Sequence, residues 1–229
     1  MNKIFTGKTK DVYLLDDGNI KLVFKDDMTG ADGVFDPGAN TVGVTVDGAG
    51  RAGLAMSVHF FKLLEEKGYA THFISADDDS MTVKAAVPFG KGLEVICRYK
   101  ALGSFIRRYG AYVEDGAPLD AVVEFTLKDD ERGDPLINDD ALIALGILSE
   151  SNYNEIKSAT HKICDVIKAD LIDKNMELCD IKLEFGKDNA GNIMLIDEVS
   201  GGNMRVLDSG GKTVSPLELS IRVVNAVRK

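Results

Sequence analysis

A chain of 229 residues, 45% hydrophobic and 28% charged, is long enough for one large domain or two lobes with real cores. Its formal net charge of −10, with a pI near 4.8, argues against general nucleic-acid binding. Cys97, Cys164 and Cys179 lack CxxC spacing, which gives neither a zinc site nor a disulfide framework and fits a reducing cytoplasm, and no apolar run approaches a membrane span.

The first ninety or so residues read mainly as β. Ile4-Phe5 leads into a turn at Gly7, and Asp11 to Leu15 and Ile20 to Lys25 form strands around an Asp16-Asp17-Gly18-Asn19 hairpin turn. Thr41 to Val46 is a further strand. Leu54 to Lys67 is predicted helical, since Leu54, Val58, Phe61 and Leu64 recur at helical spacing and Gly68 is well placed to end it. Strands then fit Thr71 to Ser75, Met81 to Val87 and Leu93 to Arg98. The irregular Pro88-Phe89-Gly90-Lys91-Gly92 segment is a natural hinge, giving lobes at 1–91 and 92–229.

In the second half, Ser104 to Tyr109 reads as a short helix and Val122 to Lys128 as a strand. A long helix runs from about Tyr153 to Lys174, with Ile156, Ala159, Ile163, Ile167 and Leu171 on one face. Leu178 to Gly186 and Ile193 to Val199 form a hairpin about the turn Lys187 to Asn192. A closing helix begins at Ser215-Pro216-Leu217-Glu218, a capping box with proline at the first helical position.

The hairpin is the richest stretch. Period-2 alternation sets Asp180, Lys182 and Glu184 on one face and Ile181, Leu183 and Phe185 on the other, and the second strand ends in Asp197-Glu198. Converging carboxylates repel unless a cation joins them, and a hard divalent ion, most simply magnesium carrying a nucleotide, would serve. A solvated face on which Lys182 neutralises its neighbours is the competing reading. The strand register decides whether Glu184 and Asp197 share a face, and the sequence leaves it open.

Cationic segments complete the picture. Gly7-Lys8-Thr9-Lys10 is a glycine turn able to cover polyphosphate. Arg98 with Gly103-Ser104 and Arg107-Arg108 suits a phosphate or carboxylate, and Arg205 follows the acid pair and a glycine loop. Lys128 either reaches a nucleotide or pairs with Asp129 or Glu124. No Ser-His-Asp or Cys-His arrangement stands out around His59, His72 and His161. Lysines, arginines and a carboxylate-bound metal are the furniture of phosphoryl transfer.

Taken in order, these segments resemble the SAICAR synthetase (phosphoribosylaminoimidazole-succinocarboxamide synthase) family. Gly7 to Tyr13 resembles GKxKxVY, and Lys25 to Gly33 resembles KDxxSAxDG. Glu94 to Arg98 with Gly103-Ser104 resembles EVxxR…GS, and Glu124 to Asp130 with Asp134-Pro135 resembles EFxxKxD…DP. Asp180 to Gly186 is similar to DFKLEFG, and Asp197 to Ser200 to DEIS.

The resemblance implies an ATP-dependent ligase of purine biosynthesis. It joins carboxyaminoimidazole ribotide (CAIR) to L-aspartate, giving SAICAR, ADP and phosphate, with an acyl phosphate fitting the course. It implies an α+β fold of two lobes with ATP between them: an N-terminal, mainly antiparallel β lobe like a kinase small lobe, and a larger α+β lobe binding substrate and metal. Carried over by motif, Lys8, Lys10 and Lys128 contact ATP, while Glu184 and Asp197 ligate Mg2+. Arg98, Ser104, Lys182 and Arg205 bind CAIR, with Lys182, Asp180 and Arg205 at the reacting centre.

The expected setting is cytoplasmic, with small-molecule partners and neither nucleic acid nor membrane; a homodimer is compatible, although nothing marks an interface. Four features depart from the family pattern: Leu207 stands where an RLWD segment has tryptophan, a DKDxxR-like segment expected after the last motif is missing with a shortened closing helix, and two further stretches differ. Gly201-Gly202-Asn203-Met204 stands before Arg205 where the family has Pro-Asp and a hydroxyl residue. Asp47 to Leu54 replaces a Lys-Gly with paired asparagines. They leave two alternatives: a paralogous amide ligase using a different amine on a related ribotide carboxylate, and a non-catalytic nucleotide-binding module.

Overall fold

Strands β1 (Asn2–Thr6), β2 (Lys10–Leu14) and β3 (Ile20–Phe24) open the chain, followed by β4 (Asp27–Ala31), β5 (Val34–Phe35) and β6 (Val42–Thr45). Helix α1 (Ala49–Glu66) precedes β7 (Phe73–Ala76), β8 (Ser80–Val83) and β9 (Val87–Pro88). Then come β10 (Leu93–Lys100), α2 (Ser104–Tyr109), β11 (Pro118–Leu127), β12 (Leu136–Ile137), α3 (Asp139–Ala144) and α4 (Glu150–Asp173). The chain continues through β13 (Met176–Lys187), β14 (Ile193–Ile196), β15 (Met204–Asp208) and α5 (Pro216–Asn225). This is a computed structural model that describes residues 1–31, 34–35 and 41–225, the side chains of 31, 34 and 35 excepted. Asp32-Gly33 of the KDxxSAxDG-like segment lie outside the described residues. The fold is α+β, as the sequence implies, and no described helix is long and apolar enough to cross a membrane.

Two compact units result. One comprises Met1–Val87, Gly186–Asn203 and Ser215–Lys229; the other comprises Pro88–Phe185 and Met204–Val214.

In the first unit an antiparallel sheet runs in the order β1-β2-β3-β8-β7. The β2–β3 hairpin pairs Leu14 with Ile20, and its turn is closed by Asn19 N–H donating to Asp17 Oδ1 at 3.0 Å. Helix α1 buries Leu54, Met56, Phe60, Phe61 and Leu64. It starts at Ala49, five residues before the predicted Leu54. The reason is tertiary. Asp26 Oδ1 accepts from Gly50 N–H at 2.9 Å, and a Cβ on Gly50 would stand 2.6 Å from the Lys25 carbonyl oxygen. Gly50, a residue that weakens helix propensity, is what allows this close approach.

In the second unit β12-β11-β10-β13 form an antiparallel sheet and β15 pairs with β13. In register, Val95 stands opposite both Leu183 and Phe125, and Cys97 opposite Ile181. This apolar face packs on α4, which buries Ile156, Ile163, Cys164, Ile167 and Leu171. The Phe125 and Tyr153 rings, 5.0 Å apart, and the Lys168 ammonium, 4.3 Å over the Tyr99 ring, mark the contact. The opposite face carries the charges.

Strands β4, β5, β12 and β15 and helix α3 have no counterpart among the predicted elements. The predicted strand Ile193 to Val199 needs correcting: β14 stops at Ile196, and Asp197 takes a left-handed φ of 67° that no strand accommodates. Hairpin register therefore does not set the Asp197 carboxylate.

Candidate functional site

The charged face of the second unit follows from alternation on three neighbouring strands. Register puts Glu94 opposite both Glu184 and Thr126, Ile96 opposite Lys182 and Glu124, and Arg98 opposite Asp180. Two carboxylates directly across from each other, Glu94 and Glu184, would repel. Cations resolve this. Lys182 Nζ donates to Glu94 Oε1 at 2.7 Å, and Thr126 Oγ1 donates to Glu94 Oε2 at 2.9 Å. Lys128 Nζ donates to both oxygens of Glu184, at 2.8 and 3.0 Å. Lys182 thus serves an acid on the adjacent strand.

Beside this lies an arginine cluster. Arg98 is only 2% exposed. Its Nε donates to Glu124 Oε2 at 2.6 Å, Nη1 to Asp180 Oδ2 at 3.1 Å and Nη2 to Ser104 Oγ at 2.8 Å. Arg205 Nη1 donates to the same Asp180 oxygen at 2.7 Å. Arg108 Nη2, one turn along α2 from Ser104, lies 2.6 Å from both Glu124 oxygens. Gly103, at φ 54°, makes room: a Cβ there would sit 2.5 Å from Arg205 Nη2. Burial pushes the Asp180 carboxyl up, and Arg205 and Arg98 pull it back toward the charged form.

The first unit holds a second network around the segment that follows β14. Lys10 is buried, with Nζ 3.1 Å from Asp197 Oδ1 and a hydrogen bond to Glu198 Oε1. Burial works against its charge, yet Asp197 and Glu198 outweigh it and hold the ammonium above its ordinary range. His72, 3% exposed, donates from Nε2 to the Asp197 carbonyl at 3.1 Å, and burial lowers its pKa to about 4. The imidazole is therefore neutral at pH 7 and acts as a fixed donor.

Asn203 ties the loop across itself, donating to the Glu198 carbonyl at 2.6 Å and accepting from Ser200 N–H at 2.9 Å. Ser200 Oγ donates to Glu198 Oε2 and accepts from Gly202 N–H at 2.9 Å. At the glycine turn, Gly7 N–H donates to the Lys10 carbonyl at 2.8 Å and Lys25 Nζ to the Gly7 carbonyl at 2.7 Å, with Lys8 half-buried.

The structure thus gathers Arg98, Ser104, Asp180 and Arg205 into one cluster, joins Lys182 to Glu94 and Lys128 to Glu184, and joins Lys10 to Asp197. Sequence reasoning passed over Glu94, Glu124 and His72 as members of these networks, and it singled out Arg108 and Glu198 without their partners. The alternation of Glu94 with Arg98, and of Glu124 with Thr126, was a usable signal for the first two. His72 gave none, because its partner is a backbone carbonyl 125 residues away.

Among the described residues no group of three or more His, Cys, Asp and Glu is arranged to hold a metal ion. Magnesium bound with a nucleotide does not need one, since it takes one or two carboxylates and completes its shell with phosphate oxygens and water. Glu184 in the second unit and Asp197 in the first are each hard oxygen donors of the kind such an ion takes, and each already faces a cation.

Comparison with known proteins gives concordant matches. A family model described as SAICAR synthetase matches residues 3–218. A phosphoribosylaminoimidazole-succinocarboxamide synthase of Clostridium tetani is 55% identical over 227 residues, 98% of this chain and 100% of that one. One from Methanocaldococcus jannaschii is 34% identical over 212 residues, 92% of this chain and 84% of that one. A solved structure described as SAICAR synthetase (Type-2) in complex with ADP is 31% identical, covers 97% of this chain and 98% of that one, and has a TM-score of 0.86.

Proposed function

This chain belongs to the SAICAR synthetase family, and we propose that it carries out the family reaction through the two charge networks described above. It is an ATP-dependent carbon–nitrogen ligase of purine biosynthesis that joins CAIR and L-aspartate to give SAICAR, ADP and phosphate. The observation that carries the assignment of roles is the cluster in which Arg98, Ser104, Asp180 and Arg205 converge, because three of these four groups are donors suited to a phosphorylated carboxylate.

In this reading Lys8, Lys10 and Lys128 contact the ATP phosphates. The carboxylates beside Lys10 keep its ammonium charged, which is the state that attracts polyphosphate. Glu184 and Asp197 hold Mg2+, which when bound neutralises charge on the phosphates. Arg98, Ser104 and Arg205 orient the ribotide, with Lys182 and Asp180 beside its carboxylate. A CAIR carboxylate oxygen attacks the γ-phosphorus, the bond to ADP breaks, and an acyl phosphate forms. The amine of L-aspartate then attacks the acyl carbon, phosphate leaves and the nitrogen gives up a proton. Lysines and arginines fixed in advance stabilise charge without reorganising during the reaction. The three buried, free thiols favour a cytoplasmic setting.

The test is ADP release with ATP, Mg2+ and CAIR, with and without L-aspartate, while following the succinocarboxamide product. Glu184→Ala and Asp197→Ala should each lower magnesium-dependent turnover by on the order of a hundredfold or more, with the fold intact. Full activity in either variant rules out its metal role. Arg205→Ala should raise the KM for CAIR far more than that for ATP. ADP release that ignores aspartate would point to a different amine.

A further inference from the structure

Glu124 is a buried carboxylate, 8% exposed, and none of the roles assigned above uses it. It accepts from Arg98 Nε at 2.6 Å and from Arg108 Nη2 at 2.6 Å. These contacts close a ring. Arg98 donates to Glu124 on β11, Glu124 accepts from Arg108 at the far end of α2, and α2 begins with Ser104, whose Oγ accepts from Arg98 at 2.8 Å. A guanidinium can swivel about its last torsions, and only contacts on more than one edge fix its plane. Asp180 and Ser104 engage the two terminal nitrogens of Arg98, and Glu124 engages the third edge, at Nε.

We propose that Glu124 is a positioning residue of the ribotide site: through Arg98 on one side and Arg108 on the other, its carboxylate fixes the arginine that meets the substrate anion and the helix that carries Ser104. The inference rests on the reading of this cluster as the CAIR site. The shared contacts support it: Arg98 and Arg108 meet on Glu124, and Arg98 and Arg205 meet on Asp180, so each carboxylate holds two guanidiniums in fixed relation. Preorganised donors of this kind set affinity for the group they face, with little effect on a nucleotide bound by other residues.

The experiment compares steady-state constants of Glu124→Gln, Glu124→Asp and Arg108→Ala with those of the unsubstituted enzyme, varying CAIR, ATP and aspartate in turn. Glu124→Gln should raise the KM for CAIR about tenfold or more and leave that for ATP within about twofold. Glu124→Asp, which keeps the charge, should recover part of the loss. Arg108→Ala, at a partly exposed side chain, should reproduce part of the CAIR effect without unfolding the protein. The Glu124→Gln/Arg108→Ala pair should fall short of the product of the single effects, because both act through one contact.

Parallel rises in the CAIR and ATP constants with a fall in Tm would make Glu124 structural only and overturn the proposal. So would an unchanged KM for CAIR in Arg108→Ala, which keeps the test decisive if Glu124→Gln does not fold. Arg205→Ala separates the two levels. If it leaves the KM for CAIR unchanged, the ribotide assignment itself fails; if it raises that constant while Glu124→Gln does not, only the positioning role fails.

Discussion

Arg98 concentrates the difference between what a sequence displays and what a fold assembles. Its three hydrogen-bond partners are 26, 82 and 6 residues away, on β11, β13 and α2. The alternation within each strand was readable, and so was the face on which Asp180, Lys182 and Glu184 lie. Which acid each cation meets depends on cross-strand register, which local pattern does not carry. The buried pairings make a sharp prediction. Arg98→Ala removes a buried donor from both Glu124 and Asp180, which keep Arg108 and Arg205 as their other cations, and should cost about 1–3 kcal/mol of stability. Arg98→Lys should not restore it, since one ammonium on a flexible stem cannot serve three directions at once. Urea unfolding checks this: the midpoint should fall at unchanged m, whereas a midpoint equal to the parent's in Arg98→Ala would mean the cluster contributes nothing net.

At the scale of elements, the segment between β14 and α5 shows why the predicted hairpin was half right. Ile193 to Val199 reads as one strand because apolar residues stand on both sides of the Asp197-Glu198 pair. The break comes from Asp197, a residue type that tolerates the left-handed region and that adopts it here. Beyond it, β15 forms only because β13 is long enough to pair with it after β10 has taken its other edge, a relation no window of sequence contains. The early start of α1 has a similar origin, in Gly50 set against the Lys25 backbone.

Close approach makes one of the loop's glycines indispensable. A Cβ on Gly201 would lie 2.4 Å from the Pro216 carbonyl oxygen and 2.7 Å from Pro216 Cα, rigid backbone at the first turn of α5. Gly201→Ala should therefore cost about 1–3 kcal/mol, lowering Tm by roughly 2–4 °C per kcal/mol for a chain of this size. Gly202→Ala, whose Cβ would meet the Ser200 hydroxyl at 3.2 Å, should cost less. Equal Tm values for Gly201→Ala and the parent would show that α5 shifts freely and that the loop is not braced against it.

For the whole molecule, periodicity located strands and helices and the family resemblance implied the α+β fold, but neither carried the chain's route. The backbone leaves the first unit after Val87, returns at Gly186 to deliver Asp197 and Glu198 beside Lys10, departs again at Met204 and returns at Ser215. The cysteines offer a way to follow one unit alone. Cys97, Cys164 and Cys179 all belong to the second unit and all are buried. Burial pushes the Cys179 thiol up to about 12 and raises that of Cys164 as well, so neither is an appreciable thiolate at pH 8. A hydrogen bond with Cys164 shifts the Cys97 thiol downward instead, but its side chain is fully buried, so native protein should be almost inert to a chromogenic disulfide reagent and all three thiols should react once guanidinium unfolds it.

Slow native labelling then measures opening of the second unit, and a ligand that binds only the closed form should slow it by the factor 1 + [L]/Kd. Lys128 and Glu184 lie in that unit. With Mg2+ and ATP at about a hundred times Kd, labelling should slow by about a hundredfold, and Lys128→Met should lose most of that protection. A nucleotide that binds, by an independent titration, yet leaves thiol labelling unchanged would take Lys128 out of the ATP site and confine nucleotide binding to the residues around Lys10.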